Sequence, residues 1–304
     1  MQLVEKRERL ESRLRDLGSV IVAYSGGIDS AYLAYVAHTV LGTGMIAMLA
    51  DSASLARSQY DDAVKFIEEN GIPFRAVQTH ELEHEAYAVN DAGRCFHCKD
   101  ELFTVLEQQR AAMGFKTIAY GLNVDDKKDY RPGHRAAAEH HVAAPLAEAG
   151  LTKEDVRALA REAGLRIWDK PASACLSSRV EYGRRVTPEA LHMIEVSEDA
   201  LRELGLRRFR VRHHGTVARI EIAEEEMARA LNTTTFRQMS ALVRKAGFQY
   251  VTVDCEGYRS GSMNEILPVE VLTASLPPAA HIAPLRVSDD VVDLASERAG
   301  RARG

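Results

Sequence analysis

Cysteine is scarce in this chain, tryptophan nearly absent, and long apolar runs missing altogether. Four cysteines in 304 residues do not make the disulfide framework of a small secreted domain. In an intracellular chain they invite a metal, cluster or redox role instead. No stretch approaches the roughly 18 apolar residues of a membrane-spanning helix, so no membrane partner is expected. The N-terminus, Met-Gln-Leu-Val-Glu-Lys-Arg-Glu-Arg-Leu, is charged and lacks the apolar core of a secretion signal. A cytoplasmic location is expected. No excess of positive charge is present either: the formal net charge is -5, which argues against a non-specific nucleic-acid binder. No internal repeat is found. What the chain does have is 46% hydrophobic residues, enough for a core, and a length that suits one large domain or two smaller ones.

The most specific local signal is Ser25-Gly26-Gly27-Ile28-Asp29-Ser30. Before it, residues 19–24 read as a buried parallel strand; after it, a helix runs from Asp29. The Gly-Gly turn lets the backbone approach a bulky anion without a Cβ in the way. The free N–H groups and positive dipole end of the helix then face that anion, and Ser25 and Ser30 add hydroxyls. The loop is expected to hold a phosphate or pyrophosphate. It lacks the Gly-Lys-[Ser/Thr] ending of a Walker A loop. The hexapeptide resembles the PP-loop of the ATP pyrophosphatases, which cleave ATP to AMP and pyrophosphate. The bland alternative is an ordinary strand–helix turn.

Strands and helices alternate through the first 180 residues. Helices are expected at 4–17 (Leu10, Leu14 and Leu17 on one face), 54–69, 96–113 and 135–140, and strands at 45–50, 73–79, 117–120 and 142–145. Thr152-Lys153-Glu154-Asp155 reads as an N-cap with an acid three residues on, opening a helix to about residue 162. This rhythm predicts an α/β fold with a parallel, doubly wound sheet, with ligands at the carboxyl ends of the strands. The pattern then changes: helices at 188–204 and 236–246, and strands at 208–214, 218–222 and 250–254, predict a smaller C-terminal α+β domain of ferredoxin-like order. The expected divisions are 1–180, 181–265 and a partly disordered tail, 266–304.

Cys95 and Cys98 form a Cys-x-x-Cys at a predicted helix start, beside Arg94 and Lys99; that placement is expected to lower thiol pKa values. Cys175 lies among proline and small residues, as an exposed loop thiol would. Cys255 follows an apolar strand and reads as an ordinary buried cysteine. The first three leave several readings open. One is a structural zinc site completed by His97, His213 or His214. Another is a 4Fe-4S cluster on three cysteines, one iron being left open. A third is a lone nucleophile at Cys175. The last is a set of ordinary reduced thiols.

From about residue 4 to 265 the chain resembles the LarE family of ATP-dependent sulfur transferases. Besides the loop at 25–30, the resemblance lies in Asn-Asp-Ala-Gly-Arg-Cys-Phe-His-Cys-Lys (90–99), Gly-Leu-Asn-Val-Asp-Asp (121–126) and Asp-Tyr-Arg-Pro-Gly (129–133). It continues in Leu-Thr-Lys-Glu-Asp-Val-Arg (151–157), Asp-Lys-Pro-Ala-Ser-Ala-Cys-Leu-Ser-Ser-Arg (169–179), Phe-Arg-Val-Arg-His-His-Gly (209–215), Ala-Arg-Ile-Glu (218–221) and Glu-Gly-Tyr-Arg-Ser-Gly-Ser-Met-Asn (256–264). The resemblance implies a small mononucleotide substrate, pyridinium-3,5-biscarboxylic acid mononucleotide, whose carboxylates become thiocarboxylates in nickel-pincer nucleotide biosynthesis. ATP would adenylate a carboxylate and a protein-borne sulfur displace AMP. A homo-oligomer, hexameric in the family, and a sulfide donor are further implications. Some members sacrifice the cysteine matching Cys175; others carry a removable sulfide on a 4Fe-4S cluster. With Cys95, Cys98 and Cys175 all present, the cluster route leads.

For ATP and pyrophosphate the expected residues are Ser25, Gly26, Gly27, Asp29, Ser30, Asp51, Asn123 and Lys153, with Asp125, Asp126 and Lys170 also near the ligand edge. Asp29 is a candidate for Mg²⁺, or simply a first-turn acid; Asp51 for the ribose or adenine, or a turn residue; Lys153 for a phosphate, or a solvated helix position. Period two puts Arg208, Arg210, Arg212 and His214 on one strand face, where guanidinium forks bind phosphate. The family assigns Arg210 and Arg212 to the substrate's phosphate, with Ser177 or Ser178 nearby; Phe96 is a candidate nucleotide contact. The strand's other reading is a solvent-facing basic edge. Competing functions are a PP-loop tRNA thiolase, which would need a broad basic surface, an amide-forming synthetase, which would lack the three cysteines, and a non-catalytic nucleotide- or metal-binding regulator.

Overall fold

A computed structural model describes residues 2–128, 133–171, 174–259 and 262–263. Most of the 129–133 motif, positions 172–173 beside Cys175 and the tail lie outside the described residues. In chain order the elements are α1 (Leu3–Leu17), β1 (Val20–Tyr24), α2 (Ile28–Leu41), β2 (Met45–Asp51), α3 (Arg57–Glu69), β3 (Phe74–Gln78), α4 (Glu85–Ala88), α5 (Arg94–Met113), β4 (Thr117–Tyr120), α6 (Gly133–Glu139), α7 (Pro145–Glu148) and α8 (Lys153–Glu162). There follow α9 (Pro188–Glu203), β5 (Phe209–His214), β6 (Val217–Ile222), α10 (Glu224–Ala230), α11 (Thr233–Lys245) and β7 (Tyr250–Val253).

The first sheet is parallel, in the order β3-β2-β1-β4. All five residues of β1 are buried, as expected of a central strand covered on both faces. Alternation sorts its side chains. Val20, Val22 and Tyr24 join the core beneath α1, α2 and α8. Ile21 and Ala23 join the opposite core with Phe103, Leu106, Ala136 and Ala137 of α5 and α6. Helices on both faces make the sheet doubly wound. The chain runs outward from β1 to β3 and returns to the far side with β4, so strand order reverses between β1 and β4. Open α/β sheets bind ligands at such a switch point.

The second sheet has the order β5-β6-β7, with β5 antiparallel and β7 parallel to β6. This corrects the ferredoxin-like expectation. The crossover through α10 and α11 lays β7 against β6 itself, so the strands follow in sequence rather than interleave. Phe209 and Val211 face a core shared with Leu201, Ile220 and Val243.

Smaller differences have local causes. The predicted strand 142–145 is one bridge, Ala143 to Ala119, because Pro145 opens α7, where its missing N–H costs nothing. Helix α3 starts at Arg57, not 54, since Ser54 is held by other segments. Helix α11 starts at Thr233, capped by the Asn232 side chain on Thr235 N. The Thr152 cap and its reciprocal bond with Asp155 are formed. Strand β7 stops at Val253, which leaves Cys255 exposed rather than buried. No helix among the described residues is long and apolar enough to cross a membrane.

Candidate functional site

The loop between β1 and α2 is closed by its own hydroxyls. Ser25 N donates to Ser30 Oγ at 3.1 Å, the two serine hydroxyls lie 3.1 Å apart, and Ser30 Oγ donates to Gly27 O at 3.0 Å. Gly26 has φ +70°, and a Cβ there would come within 2.8 Å of Ala63 Cβ, so the protein's own packing demands glycine. Gly27 is different: its φ is ordinary, and a Cβ would touch only Ser25 Oγ at 3.5 Å. As N-cap it offers α2 no side-chain oxygen. The first-turn N–H groups are thus left for an outside acceptor, and an anion is the natural one.

Strand β4 delivers a second set of groups to the same edge. A Cβ on Gly121 would lie 2.6 Å from Ser30 N, so β4's end is packed directly against the loop helix. Asn123 is fully buried. Its Nδ2 donates to Asp29 Oδ1 at 3.2 Å and Asp126 Oδ2 at 2.9 Å, and its Oδ1 accepts from the backbone N–H groups of Asp125 and Asp126. Lys153 Nζ pairs with the other oxygen of Asp29, and Lys153 N donates to Asp125 Oδ2 at 2.8 Å. Asp29, Asn123 and Lys153 are therefore one network beside the loop. Asp51 stands apart from it at the end of β2, held by Arg57 at 2.7 Å and Gln78 at 2.8 Å. Lys170 pairs with Asp62 at 3.4 Å.

The cysteines approach through two segments. Cys95 and Cys98 sit in the first turns of α5, and Cys175 directly precedes the turn Leu176–Arg179. Arg94, 4% exposed, donates to Asn90 Oδ1 and, at 2.8 Å, to Ser177 O, tying these segments together. Its charge acts on both Cys175 and Cys95. Cys98 departs from expectation: burial first, then the Glu81 carboxylate and Cys175, push its thiol well above the ordinary range, and Lys99 only partly offsets them. The helix N-terminus does not prevail over desolvation there. Among the described residues no three His, Cys, Asp or Glu side chains converge to hold a metal ion, so the closed zinc site with His97, His213 or His214 is not formed. Phe96 packs beside His97, and the Arg135 guanidinium lies over its ring at 3.9 Å.

On β5 the period-two separation holds, with a burial the alternation did not suggest. Arg212 is only 6% exposed; it bonds Glu221 at 2.7 Å, Ser178 O at 3.1 Å and Ser262 at 3.1 Å. Arg210 lies over the Tyr258 ring at 5.0 Å. Burial, and next the Arg179 charge, pull its guanidinium below the usual range, and the Glu198 carboxylate only partly offsets them. Arg179 is paired with Glu198 at 3.0 Å, both 1% exposed. Arg208 turns outward to Glu225. Ser178 Oγ donates to Cys175 O at 2.7 Å, whereas Ser177 is fully buried and its hydroxyl is bonded to Tyr87 and Ser54.

Residues 5–116 match the family model described as NAD synthase. Over 268 residues the chain is 36% identical to the pyridinium-3,5-bisthiocarboxylic acid mononucleotide synthase of Lactiplantibacillus plantarum, covering 87% of this chain and 96% of that protein. The chain belongs to the LarE family. Another relative, an uncharacterized protein of Synechocystis, is 39% identical over 265 residues, 87% of this chain and 99% of its own. A more distant one, an uncharacterized protein of Methanocaldococcus jannaschii, is 26% identical over 259 residues, 85% of this chain and 98% of its own.

Several residues that organise this candidate site escaped sequence reasoning. Asn90, fully buried at φ +60°, donates to Val180 O, Glu181 O and Arg184 O; its only signal was its place in the 90–99 motif. Tyr87 and Ser54 had none. Glu198 sits in a helix whose amphipathic pattern gives no reason to single it out.

Proposed function

We propose that this LarE-family chain adenylates a carboxylate of pyridinium-3,5-biscarboxylic acid mononucleotide with ATP and then transfers sulfur to the activated carbon. The observation that carries it is the uncapped start of α2 at the sheet's switch point, with Asp29, Asn123 and Lys153 beside it. A carboxylate resists nucleophiles because of its charge. In the first step its oxygen bonds the α-phosphorus of ATP as the bond to the β-phosphate oxygen breaks, and pyrophosphate leaves with the electron pair. The N–H groups of Gly27 to Ser30 and the Ser25 hydroxyl receive the developing phosphate charge. A sulfur nucleophile then bonds the acyl carbon, the bond to the AMP oxygen breaks, and AMP departs.

Mg²⁺ in nucleotide sites is held largely by phosphates and water with one or two carboxylates. Asp29 and the neighbouring Asp126 supply oxygens of that kind. Cys95, Cys98 and Cys175 are the thiols that would hold a 4Fe-4S cluster: the buried Arg94 guanidinium acts on Cys95 and Cys175, where its charge would offset thiolate ligands, and the three sulfurs, which do not converge here, would have to draw together around it. Bound there, such a cluster would supply a removable sulfide as nucleophile, with no cysteine consumed. Arg210, Arg212 and Ser178 are the proposed seat of the substrate phosphate, 181–265 forming the substrate-binding part beside the adenylating part. A cytoplasmic homo-oligomer belongs to the same proposal.

The test is anaerobic purification with iron and sulfide analysis, followed by turnover with ATP, Mg²⁺ and the substrate. AMP, pyrophosphate and a product with sulfur in place of a carboxylate oxygen are expected, with about four irons per chain that Cys95→Ala or Cys175→Ala removes. Product formation without iron, and Cys175 converted to dehydroalanine, would replace the cluster by the sacrificial route. No pyrophosphate on adding substrate would overturn the proposal.

A further inference from the structure

Three buried hydroxyls meet behind the cysteines. Ser54 Oγ lies 2.6 Å from Tyr87 Oη, Tyr87 Oη lies 2.6 Å from Ser177 Oγ, and the serine hydroxyls are 3.0 Å apart. Ser54 is 3%, Tyr87 1% and Ser177 0% exposed. A hydroxyl donates one proton and accepts two, so three can close a ring in which each donates once. Around the ring the packing is apolar: Ala56, Leu176, Val180, Val186, Leu191 and Ile194.

What the ring connects gives it a role. Ser54 follows β2 at the ligand edge of the sheet; Tyr87 comes from α4; Ser177 stands two residues after Cys175. Leu176 N also donates to Ser54 O at 2.8 Å, and Ser177 O accepts from Arg94 at 2.8 Å. The turn that carries Cys175 is thus held from one side by the nucleotide sheet and from the other by the Cys95–Cys98 helix. The PP-loop, in contrast, is closed within residues 25–30 and tied to Asn123 and Lys153 through Asp29. None of those bonds passes through Tyr87.

We propose that Tyr87 is a positioning residue that sets the Cys175 turn against the adenylating edge, so that sulfur transfer depends on its hydroxyl while adenylation does not. The inference rests on the proposed adenylation and sulfur transfer. With Tyr87→Phe the ring opens and the Cys175 turn loses one of its anchors, and small displacements of a reacting group are costly in rate.

The test compares two half-reactions in the full chain. Adenylation is read as substrate-dependent exchange of labelled pyrophosphate into ATP, and transfer as thiocarboxylate formed in a single turnover. Tyr87→Phe is expected to keep exchange within about twofold and to lose at least about tenfold in transfer. Ser54→Ala, which leaves the Tyr87–Ser177 bond in place, is expected to shift transfer in the same direction by less, and keeps the test available if the tyrosine variant folds poorly. Equal losses in both half-reactions, or no loss in transfer for either variant, would overturn the positioning role alone. Absence of exchange in the unaltered protein would overturn adenylation, and this role with it.

Discussion

Gly121→Ala is the perturbation whose consequences can be worked out furthest. A Cβ on residue 121 would lie 2.6 Å from Ser30 N and 2.9 Å from both Asp29 C and Ser30 Cα. Ordinary contact begins near 3.4 Å, so the first turn of α2 must recede by about 0.8 Å. All three neighbours are backbone, and β4 is pinned by pairing to β1, so neither side can yield by turning a side chain. Overpacking of this kind costs about 1–3 kcal/mol, and the rigidity of both partners puts the change at the upper end. The same recession moves the PP-loop helix away from the phosphates, which costs on the order of a hundredfold in rate per ångström. Gly27→Ala is the matched control. Its Cβ meets only Ser25 Oγ, so the stability loss is expected to stay at about 1 kcal/mol or less, that of a weaker N-cap, while ATP binding fails because the added methyl intrudes on the anion. Urea unfolding gives the stabilities, and titration calorimetry with ATP the affinities. A Gly121→Ala protein as stable as the parent, with unchanged ATP affinity, would refute the close-approach argument.

Glu198→Gln leaves the buried Arg179 charge without its partner and is expected to cost about 3–5 kcal/mol, read by urea unfolding. Burial raises the Glu198 pKa, but Arg179 outweighs it and the net direction is down from 4.5; the pair's contribution is therefore full above pH 4.5 and is lost as pH falls through the folded value, so the variant should show a flatter acid limb. His140 runs the other way. Burial lowers its pKa, yet the hydrogen bonds its ring N–H groups donate to the Asp100 and Glu107 carboxylates prevail and raise it above 6.5. Its contribution is full below pH 6.5 and lost as pH rises through the folded value, so thermal melts of His140→Gln should differ from the parent at pH 6 and converge at alkaline pH. Asp29→Asn removes the carboxylate shared by Asn123 and Lys153; melting should change by about 1 kcal/mol or less, while substrate-dependent pyrophosphate release falls more than about tenfold.

Much of the first sheet was legible because the signals there are local. An apolar run ending in Ser-Gly-Gly leaves few alternatives to strand, turn and helix. Thr152 and Asp155 announce their helix through bonds spanning three residues. Where expectation failed, a distant partner had intervened. Ser54 left its expected helix for Tyr87 and Ser177. The order of the second sheet was decided by where α10 and α11 carried the chain, which no local periodicity encodes. Cys98 was expected to be acidified by its helix start, but burial under Leu176 and its neighbours runs the other way.

By itself the sequence determined the parallel α/β architecture, the position of the Ser25–Ser30 loop between β1 and α2 and the family, since alternation, capping and ordered motifs are properties of neighbouring residues. Only the tertiary structure decided that Asp29 is shared between Asn123 and Lys153, that Arg212 is buried against Glu221 and Ser262, and that the turn after Cys175 is anchored beyond the end of β2 through Ser54 and Tyr87. Each of these joins residues far apart in the chain. Burial and partner choice arise only when the packed elements bring such groups together.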